Sequence, residues 1–141
     1  MSERKPSPFP VLRDNAICSL IQAAEDVYQI RFKNRAANAY LVRGKSRTIM
    51  IDVGLSSNYL ALQECLEHVG CPPDKIDMVI LSHEHLDHIG AAWHFGGRTL
   101  IAAHRLAATR SCCATTFRCC ARCSTSRTCR STSTSGWKKA I

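Results

Sequence analysis

Ile80-Leu81-Ser82-His83-Glu84-His85-Leu86-Asp87-His88-Ile89-Gly90 is an apolar run that ends in three histidines and an aspartate within six positions. Three imidazoles and a carboxylate at that density are metal ligands by residue type. Asp77 to Leu81 reads as a short buried strand, because Met78, Val79, Ile80 and Leu81 are continuously apolar over strand length. The histidines therefore open at the strand's mouth. In an extended chain side chains alternate, so His83 and His85 share a side and can each offer a nitrogen to one ion, while Glu84 points the other way. Asp87 and His88 come after the chain has turned, where neighbouring side chains diverge, and this suits a second metal position beside the first. Neutral imidazole with carboxylate oxygen favours zinc, with iron or manganese as the other metals such a mixed set accepts. The metalloprotease helix motif would need a histidine where Asp87 stands, and a structural zinc finger would need paired cysteines, so both are excluded here. The plain alternative is a solvated, histidine-rich turn, and the strand before it and the turn after it argue against that.

His83-Glu84-His85-Leu86-Asp87-His88 resembles the HxHxDH signature of the metallo-β-lactamase fold superfamily, which includes glyoxalase II and lactonases. Asn38-Ala39-Tyr40-Leu41-Val42 and Ile49-Met50-Ile51-Asp52-Val53-Gly54 resemble the family's second and third strands, the latter ending in its Asp-x-Gly. The likeness runs from roughly Val27 to His104. It implies an α/β fold, the N-terminal half of an αββα sandwich. It also implies a metal-dependent hydrolase in which a metal-bound hydroxide attacks an ester, thioester, lactone or amide carbonyl of a small-molecule substrate. Asp87 would orient the water or accept its proton. The family site holds two zinc ions. One takes residues matching His83 and His85 plus a later histidine; the other takes residues matching Asp87 and His88 plus a last histidine, and an aspartate bridges both. Asp52 would support the site from behind by holding a histidine ring, with an ordinary turn or capping aspartate as the equal alternative.

Around this stretch, 141 residues allow one domain with a modest core. Met1 to Pro10 has three prolines and mixed charge and reads as a loose arm, extended here to residue 15. Ala16 to Ala24 is too short and interrupted for a secretory leader, and no run reaches transmembrane length, so the cytoplasm is the expected compartment. Strands are expected at Val27–Phe32, Ala39–Val42 and Thr48–Ile51, the last two joined as a hairpin by Arg43-Gly44-Lys45-Ser46. A helix follows, capped by Ser56 or Ser57, with Tyr59, Leu60, Leu62, Cys65, Leu66 and Val69 at helical spacing and a stop at Gly70. Cys18, Cys65 and Cys71 read as separate small buried hydrophobes. His68 reads as a solvent-facing residue of the last helical turn. Ile89 to Phe95 should be a short helix and Arg98 to Ala103 a strand, with His94 and His104 read as packing or surface histidines.

The domain so outlined spans 16–108, and the rest changes character. From Ser111 to Ser135 nearly every residue is Ser, Thr, Cys or Arg, and six of the nine cysteines fall there. This tail, 109–141, is expected to be disordered. No acid follows Asp87: residues 1–87 carry ten Lys and Arg against eleven Asp and Glu, whereas residues 88–141 carry nine against none. The formal net charge of +8 thus comes from the residues after Asp87, most of it from the tail. Lacking interleaved aromatics or a helical face, the tail is not expected to bind nucleic acid, and no membrane association is expected. A shifted reading frame accounts for its composition: with TCN serine and CGN arginine codons, skipping two bases from Ser111 permits the amphipathic, acid-containing sequence Met-Leu-Arg-Asp-Asp-Phe-Ser-Met-Leu.

Past His104 the sequence offers no His, Asp or Glu, so each metal position implied by the resemblance lacks a protein ligand within these 141 residues. Two readings follow: an impaired metal-dependent hydrolase, or a non-catalytic fragment or pseudoenzyme that binds metal weakly or not at all. With half the sandwich, one sheet face would stay uncovered, and self-association through it is expected.

Overall fold

The structure, a computed structural model, describes residues 8–104. Residues 1–7 of the arm, the end of the domain at 105–108 and the tail lie outside the described residues. Seven strands form one sheet in chain order: β1 (Val11–Asp14), β2 (Cys18–Ala24), β3 (Val27–Phe32), β4 (Ala39–Arg43), β5 (Thr48–Ile51), β6 (Met78–Leu81) and β7 (Leu100–Ala103). The first five run antiparallel and are joined by short turns; β5, β6 and β7 are parallel. Parallel neighbours need crossovers. Helix α1 (Tyr59–His68) lies in the first, and the single-turn helix α2 (Leu86–Ile89) in the second.

Period-2 patterning sorts the sheet into two faces. Tyr28, Ile30 and Phe32 of β3, Leu41 of β4, Met50 of β5, and Val79 and Leu81 of β6 are buried in one cluster with Leu62, Cys65 and Leu66 of α1. These three helix positions fall at i, i+3 and i+4, one stripe of the cylinder. On the other face the register lines up two apolar rows across the strands: Val42, Ile49, Met78, Leu100, and Tyr40, Ile51, Ile80, Ala102. Ile51 and Ile80 each remain 37% exposed.

Several local expectations are corrected. Val11–Asp14 is not part of a loose arm but an edge strand paired with β2. The Cys18–Ala24 run is itself a strand, with Cys18, Leu20 and Ile21 buried. Neither Ser56 nor Ser57 caps α1: residues Ser56–Asn58 form a 3₁₀ turn, and no side-chain cap bond is made. Instead Ser56 Oγ accepts a hydrogen bond from Trp93 Nε1 at 3.2 Å, while buried Asn58 exchanges amide bonds with Asn34. In place of the helix expected over Ile89–Phe95, α2 ends at Ile89 and a 3₁₀ turn, Ala92–His94, follows it. The last strand starts at Leu100 rather than Arg98. No helix among the described residues is long and apolar enough to cross a membrane.

Candidate metal centre

The two parallel strands β5 and β6 end side by side, and the site is built on their carboxyl ends, where open parallel sheets present ligand crevices. The ladder extends one step beyond the last strand pair, Asp52 N donating to Ile80 O at 2.9 Å, which sets Asp52 beside Ser82. Asp52 takes a left-handed backbone conformation, φ 54°, and is buried. Such a conformation is uncommon for a residue with a side chain, and the bonds that Asp52 makes are what hold it. Its Oδ1 accepts from Ser82 N at 2.8 Å; its Oδ2 accepts from Ser82 Oγ at 2.7 Å and lies 2.7 Å from His88 Nδ1.

The backbone following Asp52 grips the same helix. Val53 N and Gly54 N both donate to His88 O, at 2.8 and 3.2 Å, and Ala91 N donates to Gly54 O at 3.1 Å. Gly54 has φ 72°, and a Cβ there would lie 2.6 Å from the Phe32 ring. A Cβ on Gly90 would lie 2.6 Å from Leu86 O, 3.0 Å from Ser56 N and 3.1 Å from Gly54 O, all backbone. Gly54 thus lets the loop close over Phe32, Gly90 lets α2 lie against the 54–56 backbone, and the latter contact fixes where His88 sits.

These bonds determine which ring nitrogens stay free. A carboxylate only accepts, so Asp52 keeps the proton of a neutral His88 on Nδ1 and leaves the Nε2 lone pair unprotonated. Ser82 Oγ, having given its hydrogen to Asp52, accepts from His83 Nδ1 at 3.0 Å, and the same logic leaves His83 Nε2 bare. The ring centroids of His83 and His88 are 3.9 Å apart, and those of His83 and His85 4.6 Å. Asp87 Oδ2 lies 3.6 Å from His88 Nε2. The structure therefore gathers His83, His85, Asp87 and His88 in one corner, with Asp52 behind them. The donor chemistry fits a divalent cation: imidazole nitrogens stripped of protons, a carboxylate beside them, and an acidic support behind. Convergence is partial, since among the described residues no three His, Cys, Asp or Glu side chains surround a common point as a bound ion requires.

The sequence reading overlooked Ser82, which relays between Asp52 and His83. A hydroxyl immediately before the first histidine, at the end of a strand, was the available signal. It also gave no weight to an aromatic ladder nearby. Trp93 stacks on His94 with centroids 3.6 Å apart, and His94 stacks on Tyr59 at 3.8 Å. Burial pushes His94 below its ordinary value, so it favours the neutral ring. His94 is thereby a packing residue, and His104 lies exposed just past the end of β7.

Comparison with known proteins agrees with this architecture. The chain is 32% identical to the N-acyl homoserine lactonase AiiB of Agrobacterium fabrum, over 46% of this chain and 32% of that protein, and equally so to the protein of the same name from Rhizobium rhizogenes. It spans about a third of the length of these curated relatives. Among solved structures, a Cronobacter sakazakii metallo-beta-lactamase with an HARLDQ motif superposes with a TM-score of 0.55 at 22% identity, covering 61% of this chain and 33% of that one. Rm3 metallo-beta-lactamase gives 0.53 at 24% identity, covering 60% and 31%. Both show the fold. The family model described as the metallo-beta-lactamase superfamily matches residues 33–108, more than half the sequence, and that family generally binds metal ions, usually zinc. The chain belongs to the metallo-beta-lactamase superfamily.

Proposed function

We propose that this chain carries the strand-end corner of a metal-dependent hydrolase that acts on a small molecule with an ester, thioester, lactone or amide carbonyl. One observation carries the proposal: Asp52 lies against His88 Nδ1 and Ser82 against His83 Nδ1, which in the neutral rings leaves both Nε2 atoms without a proton, and His88 Nε2 lies beside the Asp87 carboxylate. His83 and His85 would hold one ion and Asp87 and His88 a second, zinc being the metal this mixture favours, with iron or manganese as alternatives. Bound there, a divalent cation supplies an activated water and polarises the scissile carbonyl. The chain's own residues do the rest. Asp87, whose side chain is 40% exposed, would orient the attacking water and take up its proton. Asp52 keeps the His88 ring from rotating and neutralises positive charge that builds behind it. A lactone is the substrate to try first, because relatives at 32% identity are named as N-acyl homoserine lactonases. The protein would work in the cytoplasm and self-associate through the two apolar rows opposite α1.

A second reading has its own support: residues 105–141 contain no His, Asp or Glu, and among the described residues no three donors converge. On this reading the chain is a non-catalytic fragment. One experiment separates the two. The full chain is loaded with zinc and assayed on a lactone, a thioester and an ester. Turnover that is slow, abolished by a chelator and abolished by Asp87→Asn supports the hydrolase with an impaired site. No turnover at any metal loading supports the fragment.

A further inference from the structure

Two cysteines that stand 47 positions apart in sequence meet in the core. Cys18 opens β2 and Cys65 lies on the face of α1 that packs on the sheet; their Sγ atoms are 3.4 Å apart and both residues are 0% exposed. Cys18 Sγ also lies 3.5 Å from Ala61 O, one turn earlier on the helix, which orients its S–H away from Cys65 and leaves its lone pairs toward it. The contact is asymmetric: hydrogen bonding from Cys65 holds the Cys18 thiol below the ordinary value, while the same contact and burial push Cys65 up.

We propose that Cys18 and Cys65 are a redox-closing pair whose disulfide fastens β2 to α1. A sulfur separation of 3.4 Å must shrink by only ~1.4 Å to reach bonding length, a change within reach of small rotations about two Cα–Cβ bonds. The oxidant is a small disulfide of the glutathione type. The Cys18 thiolate attacks one of its sulfurs, forming a mixed disulfide and releasing one small thiol. The Cys65 thiolate then attacks Cys18 Sγ, forming the Cys18–Cys65 bond and releasing the second small thiol. Two protein thiols are oxidised, one small disulfide is reduced to two thiols, and the two protons leave with them. Because both sulfurs are buried, exchange proceeds through transient opening of α1, which returns both thiols to water and lets each ionise, and closure then removes the opening that admitted it. The bond ties down the helix that follows the 52–56 loop, the same loop that seats His88. Reduced in a reducing cytoplasm and closed under oxidative load, the pair stiffens the wall behind the metal corner without touching a ligand.

The test uses the full chain carrying Cys112→Ser, Cys113→Ser, Cys119→Ser, Cys120→Ser, Cys123→Ser and Cys129→Ser, so that Cys18, Cys65 and Cys71 are the remaining thiols. It is equilibrated in glutathione buffers from reducing to oxidising, quenched with a maleimide, unfolded, relabelled and digested. The expected result is loss of two labels together, a peptide linking Cys18 to Cys65, and a Tm raised by on the order of 10 °C in the oxidised form, as closing a loop of this length implies. Cys65→Ser in the same background should abolish the Tm rise. Three free thiols in the most oxidising buffer, a bond through Cys71, or a Tm rise that survives Cys65→Ser would overturn the proposal. Peptide mapping of the unaltered chain is the second measurement: a Cys18–Cys65 peptide supports the pair, and bonds from either residue to the tail cysteines overturn it.

Discussion

At the scale of single residues, the candidate site is a problem in allocating protons. Asp52 accepts from three donors, Ser82 N, Ser82 Oγ and His88 Nδ1. An amide in its place offers one acceptor and one donor, so Asp52→Asn must leave at least one of these groups facing a like partner. We expect a stability loss of about 1–3 kcal/mol in urea denaturation and a metal affinity lower by about 10–100-fold in competition with a chromogenic chelator. An Asn variant that binds metal as the parent does would refute the role assigned to Asp52. Gly90→Ala tests the backbone side of the same arrangement. With three backbone atoms at 2.6–3.1 Å from the new Cβ, the 54–56 loop and α2 must move apart, at a cost of about 1–3 kcal/mol measured by chemical denaturation. The ligand types were legible in sequence because His, Asp and their spacing are local facts. Ser82 was not, because its importance comes from the strand register that brings it to Asp52, thirty positions earlier.

At the scale of elements, α1 and the aromatic ladder govern how firmly the corner is backed. Leu66 is fully buried on the sheet-facing stripe of α1, and Leu66→Ala should cost about 2–5 kcal/mol in the same denaturation assay. The ladder has a pH signature. Burial keeps the folded pKa of His94 below its unfolded value, so the unfolded chain takes up that proton first as pH falls. The contribution of His94 is therefore complete above about pH 6.5 and is lost as pH drops from there toward the folded pKa. Thermal melts of the parent and His94→Phe, which keeps a ring between Trp93 and Tyr59, should diverge in that window, with the parent losing Tm more steeply. Parallel slopes would show that His94 is not the group concerned. Strands β3 to β6 could be read from alternation and apolar runs. Strand β2 was hidden because its buried residues, Cys18, Leu20 and Ile21, break strict alternation near a register irregularity between Gln22 and Ala24. The Cys18–Cys65 contact was beyond reach for the same reason as Ser82: it exists only once a helix is laid on a sheet.

For the whole molecule, the matter of consequence is what a sheet of this family does when one face carries two rows of apolar side chains. The rows meet solvent at Ile51 and Ile80, and we expect concentration-dependent self-association in sedimentation velocity, weakened by the pair Ile51→Thr and Ile80→Thr. Association unaffected by that pair would move the contact elsewhere. The family and the half-sandwich were legible because the strands and the His83–His88 cluster lie close together in sequence.

Zinc titration of the full chain, followed calorimetrically beside His83→Ala, His85→Ala and His88→Ala, tests the central claim most directly. The account predicts saturable binding that each of the three substitutions weakens by at least about tenfold. Binding that is absent, or that survives all three substitutions unchanged, would contradict it.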